Sequence, residues 1–263
     1  MLTIREIKKA ATLEEAWQLN QKRPNRVMGG MLWMRLSKGN VATLIDLSAL
    51  GLDKIEEKDT EFSIGAMVTL RQLELHAGIG AYTKGAMKEA LRHIVGVQFR
   101  NLATVGGSIF GRFGFSDVLT MLMALDAKVE LYKGGVIPLE EFAKMPYDRD
   151  ILVRLIIPKQ NIECSYASVR IAKTDFPVLT CAAAKTSAGV QIAVGARPAK
   201  AALVRDEQGL LREGITEEKV QAFADYAASV LPTESNPRGS AAYRTHLIKV
   251  LAARTILALG GKA

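Results

Sequence analysis

The chain has 263 residues, of which 49% are hydrophobic and 24% are charged. This composition is typical of a globular protein with one large domain or two to three small ones. No apolar run reaches the roughly 20 residues that a membrane span needs. The first residues, MLTIRE, lack the apolar core of a signal peptide, which predicts a cytoplasmic protein.

The formal charge is +8, from 35 basic and 27 acidic residues. Lysines and arginines are mixed with acidic residues, and no basic stretch is interleaved with aromatic residues, so the pattern does not indicate nucleic-acid binding. It predicts a solvated surface with a few basic residues facing an anionic ligand. The two cysteines, Cys164 and Cys181, cannot by themselves form a disulfide framework, a zinc site or an iron–sulfur site.

Residues 1–52 predict a βαβ-like N-terminal subdomain. Thr12 and Glu15 have the spacing of a capping box, which predicts a helix after the first strand. Further strands are predicted at residues 26–28 and 42–47.

Residues 53–158 predict a second subdomain that mixes strands and helices. Strands are predicted at residues 62–67, 128–132 and 151–157, and helices at residues 69–76, 84–93 and 116–125. Ser116 and Asp117 are predicted to cap the last of these helices. Residues 100–108 are predicted to be loop and turn.

Residues 159–263 predict a C-terminal α+β domain. Strands are predicted at residues 166–171, 178–185 and 190–196. Helices are predicted to begin at Thr216 and Ser240, and the second is predicted to end at Gly260-Gly261.

Two glycine pairs could bind a ligand through the backbone. Gly29-Gly30 follows a predicted strand, and Gly106-Gly107 lies in a predicted turn. Adjacent glycines let the backbone approach a ligand and turn its amides towards one point, which suits a diphosphate, although a tight turn explains each pair equally well. Neither G-x-G-x-x-G nor a phosphate loop is present, so a doubly wound nicotinamide dehydrogenase is disfavoured.

Four segments resemble the FAD-binding subunits of molybdenum hydroxylases. The first segment begins with RNLATVGGSI at residues 100–109, which is similar to the family's R-N-x-A-T-x-G-G-N-I. It continues with Ser116-Asp117 and with LMALDA at residues 122–127, which match the family's S-D and L-L-A-L-D-A. Residues 28–33 align with A-G-G-T-D-L, residues 152–158 with a strand ending in I-x-I-P, and residues 238–244 with R-G-S-A-x-Y-R. The resemblance covers nearly the whole chain, and the medium subunits of xanthine dehydrogenase and carbon monoxide dehydrogenase are the most similar kinds.

The resemblance implies an α+β protein with a vanillyl-alcohol-oxidase (PCMH)-type FAD-binding fold of two subdomains plus a C-terminal α+β domain. It implies an oxidoreductase subunit that holds FAD noncovalently, has no catalytic residue or metal ligand of its own, and passes electrons to NAD+ or another acceptor. Molybdopterin and [2Fe-2S] clusters are expected on partner subunits. The implied FAD-binding residues are Val27, Met28, Gly29, Gly30, Met31, Leu32, Trp33, Thr104, Gly106, Gly107, Ser108, Asp117, Leu152 and Arg170.

The chain departs from the family pattern at three places. Met31 and Leu32 replace the threonine and the acid of the first loop, Ser108 replaces an asparagine, and residues 112–115, RFGF, replace small residues, which is expected to alter access to the flavin. Asp117 could instead act only as a helix cap, and Arg170 could be an ordinary surface residue. Two other functions stay open: a stand-alone FAD-dependent oxidoreductase and a scaffold subunit with a degenerate flavin site.

Overall fold

The computed structural model describes residues 1–259, and its first sheet belongs to the N-terminal βαβ-like unit. Three parallel strands lie in the order β1-β3-β2, where β1 is Leu2–Lys9, β2 is Arg26–Met28 and β3 is Gly39–Asp46. Helix α1, Leu13–Gln21, connects β1 to β2 and begins at Thr12, whose hydroxyl accepts a hydrogen bond from the Glu15 amide. The predicted helix start is confirmed. Only half of the predicted capping box forms, because the Glu15 carboxylate accepts from the amide of Ala11 at 2.8 Å.

The second sheet has five antiparallel strands in the order β4-β5-β8-β6-β7. These strands are β4 Ile55–Glu57, β5 Glu61–Gly65, β6 Lys128–Leu131, β7 Gly135–Pro138 and β8 Leu152–Pro158. The helices of this unit are α2 Leu70–Leu75, α3 Ala77–Tyr82, α4 Ala86–Leu91, α5 Val97–Arg100, α6 Val105–Phe110, α7 Asp117–Ala124 and α8 Leu139–Lys144.

The third sheet has four antiparallel strands in the order β12-β11-β10-β9. These strands are β9 Glu163–Arg170, β10 Pro177–Thr186, β11 Gly189–Gly195 and β12 Ala202–Arg205. Helices α9, Glu217–Val230, and α10, Ala241–Leu259, begin after Thr216 and Ser240 as predicted. The predicted end of α10 at Gly260-Gly261 lies outside the described residues.

Strand β10 shows how the C-terminal unit joins the second unit. Side chains alternate between the two faces of a strand. Ala182 and Ala184 accordingly face the core of the second unit, whereas Cys181 and Ala183 face the core under α9 and α10. Helix α7 is buried along all 8 of its residues, since it packs on the third sheet and on helices α4, α6 and α8 of the second unit. The N-terminus of α7 is thus held rigidly where the units meet.

The prediction of loop and turn for residues 100–108 is confirmed for residues 101–104 and wrong for Arg100 and residues 105–108. The segment contains the end of α5 and the start of α6, so Gly106 and Gly107 lie in the first turn of a helix. Glycine is a poor helix former, but Thr104 caps this helix and its first turn packs directly on the backbone of Ala66. Tertiary packing therefore overrides the turn preference of the glycine pair.

Residues 1–259 lack two features that would suggest other functions. No helix in this range is long and apolar enough to cross a membrane. The same range contains no group of three or more His, Cys, Asp or Glu side chains that could hold a metal ion.

Candidate functional site

A cavity of about 790 Å³ lies where the three units meet. Its volume is in the range of small-molecule and cofactor sites. Its walls come from the loop after β2, the first turns of α6 and α7, the start of β8 and the loop after β9. The residues that the family resemblance implies all line this cavity: Val27, Met28, Gly29, Gly30, Met31, Leu32, Trp33, Thr104, Gly106, Gly107, Ser108, Asp117, Leu152 and Arg170.

The loop of residues 27–33, hereafter the first loop, presents a row of free backbone amides. Within the described residues, none of the N–H groups from Gly29 to Trp33 donates a hydrogen bond to a protein acceptor. Met31 has φ of 62°, a conformation that is strained for a side chain of this size. Unpaired backbone N–H groups need a ligand or water as acceptor. The five N–H groups from Gly29 to Trp33 are therefore free to donate to a ligand or to water.

Close packing of backbones explains the glycines of the first loop. A Cβ atom on Gly30 would lie 1.9 Å from the carbonyl oxygen of Leu102, a contact that no side chain can make. A Cβ atom on Gly29 would lie 2.9 Å from Thr104 Oγ1 and 3.9 Å from Gly107 Cα. The two glycine pairs are thus packed against each other on one wall of the cavity.

The amides of the second glycine pair already have acceptors. The Gly106 amide donates to the Ala66 carbonyl at 2.8 Å, and the Gly107 amide donates to Thr104 Oγ1 at 3.1 Å. The expectation that these two amides turn towards a ligand is therefore wrong. They are occupied because the first turn of α6 docks on the backbone after β5 and is capped by Thr104. Gly106 has no side chain because its Cβ would lie 2.6 Å from Ala66 O.

Asp117, Tyr166 and Arg170 form a buried triad at the cavity wall. The Tyr166 hydroxyl and the Arg170 guanidinium both donate to Asp117 Oδ1. Asp117 Oδ2 accepts no hydrogen bond from another residue among residues 1–259, and Asp117 lines the cavity. Burial raises the pKa of Asp117 to about 6, although Arg170 and Tyr166 both act to lower it. The site therefore offers one carboxylate oxygen to a ligand at neutral pH.

The structure settles two alternatives for these residues. Ser116 Oγ, not Asp117, accepts the hydrogen bond from the Leu119 amide and caps α7, so the idea of Asp117 as a mere cap is wrong. The side chain of Arg170 is only 8% exposed, and Arg170 donates to the Asp175 carbonyl at 2.6 Å as well as to Asp117. The alternative of an ordinary surface arginine is also wrong.

Four aromatic rings line the end of the cavity next to Arg170. Phe113 and Phe115 are stacked with centroids 5.1 Å apart, and Trp33 lies 5.7 Å from both Phe115 and Phe176. These rings come from the first loop, the α6–α7 linker and the β9–β10 loop. They remain partly exposed and form an apolar surface suited to a planar ligand.

Arg112, which precedes this cluster, faces away from the cavity. Its guanidinium lies 3.8 Å from the centroid of Phe142 and its Nε donates to the Phe142 carbonyl at 3.0 Å. Burial lowers its pKa. Of residues 112–115, only Phe113 and Phe115 can therefore affect access to a ligand at the aromatic end.

A polar part of the cavity lining was not predicted from the sequence. It consists of Asn20, Asn25, Arg26 and Arg149. The Asn20 side-chain amide donates to the main-chain carbonyl of Arg149 at 2.9 Å, and the Arg149 guanidinium donates to the main-chain carbonyl of Asn20 at 2.7 Å. Their positions in the chain differ by 129 residues, and neither belongs to a motif. No local signal could have joined them.

Sequence comparison divides the chain between two families. Residues 4–160 match the FAD binding domain in molybdopterin dehydrogenase. The chain belongs to this family. Residues 165–259 of this FAD-binding subunit match the CO dehydrogenase flavoprotein C-terminal domain. The chain is therefore an oxidoreductase subunit of the xanthine dehydrogenase family, and the predicted recognition is confirmed.

Several proteins are similar to this FAD-binding subunit over most of their length. It is 29% identical to the uncharacterized protein YgfM of Escherichia coli (strain K12), over 80% of this chain and 77% of YgfM. It is 26% identical to the nicotine 6-hydroxylase medium subunit of Paenarthrobacter nicotinovorans, over 96% of each chain. A solved structure of carbon monoxide dehydrogenase from Hydrogenophaga pseudoflava matches with a TM-score of 0.88 and 22% identity, over 98% of each chain. The predicted PCMH-type fold with a C-terminal α+β domain is thereby confirmed.

Proposed function

We propose that this chain is the electron-transfer subunit of a molybdenum hydroxylase complex. It takes electrons from iron–sulfur clusters of a partner subunit and passes them through noncovalent FAD to NAD+ or another acceptor. The observation that carries the placement of FAD is the row of unpaired amides in the first loop, at the wall of a cavity large enough for a cofactor. When bound, FAD accepts two electrons and can release them singly or as a hydride.

The first loop is proposed to hold the diphosphate of FAD through main-chain N–H groups alone. Hydrogen bonds from backbone amides to a charged oxygen do not depend on side chains. Leu32, which replaces the family's acid, is 7% exposed and packs in the core of the second unit. The departures at Met31 and Leu32 are therefore compatible with diphosphate binding, which argues against a degenerate flavin site.

Other cavity residues are proposed to hold the remaining parts of FAD. Asp117 Oδ2 can accept a hydrogen bond from a sugar or ribityl hydroxyl. The aromatic end suits the isoalloxazine ring, and the adjacent Arg170 would stabilise the reduced, anionic flavin. Thr104, Gly106, Gly107, Ser108 and Leu152 would contribute packing at the wall. The residues that line the cavity include no His or Cys, which supports a noncovalent cofactor.

The metal centres of the complex are proposed to lie on other chains. Cys164 and Cys181 are both buried and burial raises the pKa of each to about 12, so neither thiol is available as a thiolate ligand. Relatives at 24–29% identity include proteins named as medium subunits or medium chains. These names support an iron–sulfur subunit and a molybdopterin subunit as partners, in a cytoplasmic complex.

We further propose domain boundaries at residues 52 and 158. The resulting segments, 1–52, 53–158 and 159–263, hold one sheet each as far as the chain is described. This arrangement supports the division.

The cofactor proposal is tested on the purified chain. It should be yellow, or become yellow on reconstitution, and release FAD on heat denaturation. FMN should not replace FAD, because FMN lacks the diphosphate that the first loop is proposed to bind. Chromatography of the released flavin identifies it. FMN in place of FAD, or no flavin after incubation with excess FAD, would contradict the proposal. Turnover of a purine or an aldehyde by the pure, metal-free chain would contradict the role as an electron-transfer subunit.

Trp33 should report FAD binding through its fluorescence. The chain has two tryptophans. Trp33 lines the cavity, whereas Trp17 lies on α1 beside Lys133 and is not among the lining residues. Titration with FAD should quench the emission of Trp33 more strongly than that of Trp17, because a flavin ring bound in the cavity would contact the Trp33 indole directly. The Trp17→Phe variant should keep most of the quenching and Trp33→Phe should lose most of it. Equal quenching in both variants would place the cofactor elsewhere.

A further inference from the structure

Tyr166 contacts the proposed FAD site from outside the cavity. Its side chain is 8% exposed, and it is not among the residues that line the cavity. Tyr166 and Arg170 are four positions apart on β9, so both side chains lie on the same face of the strand. That face points towards the N-terminus of α7, where both residues meet Asp117.

The two carboxylate oxygens of Asp117 differ in their hydrogen bonds. Oδ1 accepts from both Tyr166 and Arg170, whereas Oδ2 accepts from no other residue among residues 1–259, and Asp117 lines the cavity. A phenylalanine would fill the space of the Tyr166 ring equally well, so packing does not explain the hydroxyl. A hydrogen bond to a charged acceptor in a buried site contributes more than a neutral one.

We propose that Tyr166 is a positioning residue for FAD binding, which holds Asp117 through Oδ1 so that Oδ2 stays ionised and directed to the cofactor. Through this contact the C-terminal unit sets the affinity of a site that is built mainly by the first two units. The inference rests on the proposed function, because it assumes that FAD occupies the cavity.

The pH dependence of Asp117 depends on the titratable and charged groups that surround its carboxylate. Both titratable groups that touch the Asp117 carboxylate are on β9. Arg170 also faces Asp175, whose carbonyl it contacts, and it acts electrostatically on His93, as does Lys173. α6 and β11, which pack on α7, carry no titratable residue. The other elements packed on α7 do carry titratable residues, but none of these residues makes a hydrogen bond or ion pair with Asp117. They are Lys88 and Glu89 on α4, Glu140, Glu141 and Lys144 on α8, Cys181 and Lys185 on β10, and Arg205 on β12.

Protonation of Asp117 should weaken FAD binding. The pKa of Asp117 is raised to about 6 by burial, and the hydrogen bond from Tyr166 is one of the causes that oppose this rise. Removal of the hydroxyl should therefore move the pKa of Asp117 further up. The carboxylate would then be lost at a higher pH than in the wild-type protein, and the affinity for FAD would fall in the neutral range.

The experiment measures the dissociation constant of FAD between about pH 5 and pH 8 by flavin fluorescence, in the wild-type chain and in Tyr166→Phe. The affinity of the wild-type chain should fall as the pH is lowered through about 6. In Tyr166→Phe the midpoint should move up by at least about half a pH unit, so the dissociation constant should increase by at least about twofold near pH 6 and change little near pH 8.

Two control variants separate this effect from structural damage. The half-buried hydroxyl of Tyr82 also donates a hydrogen bond, to the Pro158 carbonyl at 3.0 Å, but Tyr82 lies outside the cavity lining. Tyr82→Phe should keep the wild-type midpoint. Burial lowers the pKa of His93, and His93→Gln shows whether the midpoint belongs to this histidine. An unchanged midpoint in His93→Gln is expected, and its disappearance would overturn the assignment to Asp117.

Equal FAD affinity and an equal midpoint in wild type and Tyr166→Phe would overturn the positioning role while leaving the proposed function intact. Failure of the wild-type chain to bind FAD would refute the proposed function itself. If Tyr166→Phe does not fold, 3-fluorotyrosine at position 166 replaces it, since its more acidic hydroxyl is a stronger donor. The midpoint should then move down, and an unchanged midpoint would overturn the proposal.

Discussion

Gly30→Ala is expected to weaken FAD binding by at least about a hundredfold. The new Cβ would lie 1.9 Å from Leu102 O and 2.6 Å from Leu102 C. Backbone atoms cannot yield as the end of a flexible side chain can, so the first loop must move. A displaced loop no longer presents its row of amides to the diphosphate, and each charge-assisted hydrogen bond contributes roughly 1.5–3 kcal/mol.

Gly107→Ala is the matched control for this variant. A Cβ on Gly107 would meet only the Thr104 hydroxyl, at 3.0 Å, and the amide of Gly107 is already paired. FAD affinity within a few-fold of wild type is therefore expected. The dissociation constant and the thermal stability of the apo form should be measured on the same preparation. A folded Gly30→Ala protein that binds FAD as tightly as wild type would show that the first loop does not hold the diphosphate.

These two variants also show where reasoning from the sequence reached its limit. The resemblance assigns both glycine pairs to the ligand, and both pairs do line the cavity. The amides of Gly29 and Gly30 are unpaired, whereas those of Gly106 and Gly107 are taken up by contacts with Ala66 and Thr104. The acceptor for Gly106 lies 40 residues away in sequence (106 − 66), so no local pattern could distinguish the two pairs.

Most of the secondary structure could be predicted because its signals are local. Polar caps at Ser116, Thr216 and Ser240 mark three helix starts correctly. Strand β10 is a nearly continuous apolar run, since both its faces are covered, and its position was predicted to within one residue. Several short helices and edge strands were missed, namely α3, α8, β4, β7 and β12. They have no more than six residues each, which is too few for a clear period.

The cavity itself is assembled by contacts between residues far apart in sequence. Asp117 and Arg170 were both assigned to the site through the resemblance, but their direct contact, across 53 positions, was not predicted. Tyr166 belongs to no motif and was not selected at all. Phe176 completes the aromatic end from a loop whose sequence carries no signal. Sequence patterns located the walls of the site, whereas the electrostatics depended on the tertiary fold.

Arg170→Met should have the largest effect on stability. It leaves the carboxylate of Asp117, which is 4% exposed, without its cationic partner. Removal of one member of a buried ion pair costs roughly 3–5 kcal/mol, because the remaining charge is buried and uncompensated. The apo variant should show this loss in chemical denaturation near neutral pH, and FAD should bind more weakly.

The pH dependence of this loss identifies its cause. Arg170 is the largest of the causes that lower the pKa of Asp117, so in Arg170→Met this pKa should rise above the wild-type value of about 6. The unfolded chain has its Asp pKa near about 3.9. A group whose pKa is raised by folding contributes stability that is present below the unfolded pKa and is lost as the pH rises through the folded pKa. The variant should therefore approach wild-type stability near about pH 5 and fall behind it most clearly near about pH 8.

The double variant Asp117→Asn/Arg170→Met tests this explanation directly. The neutral amide removes the buried charge and can still accept the hydrogen bond from Tyr166. Most of the stability lost near pH 8 should return, and its dependence on pH should disappear. FAD affinity should not return, because the amide is a weaker acceptor for the cofactor and the cation is still absent. If Arg170→Met lost the same stability near pH 5 as near pH 8, the packing of the Arg170 side chain, and not its charge, would be what stabilises this part of the cavity.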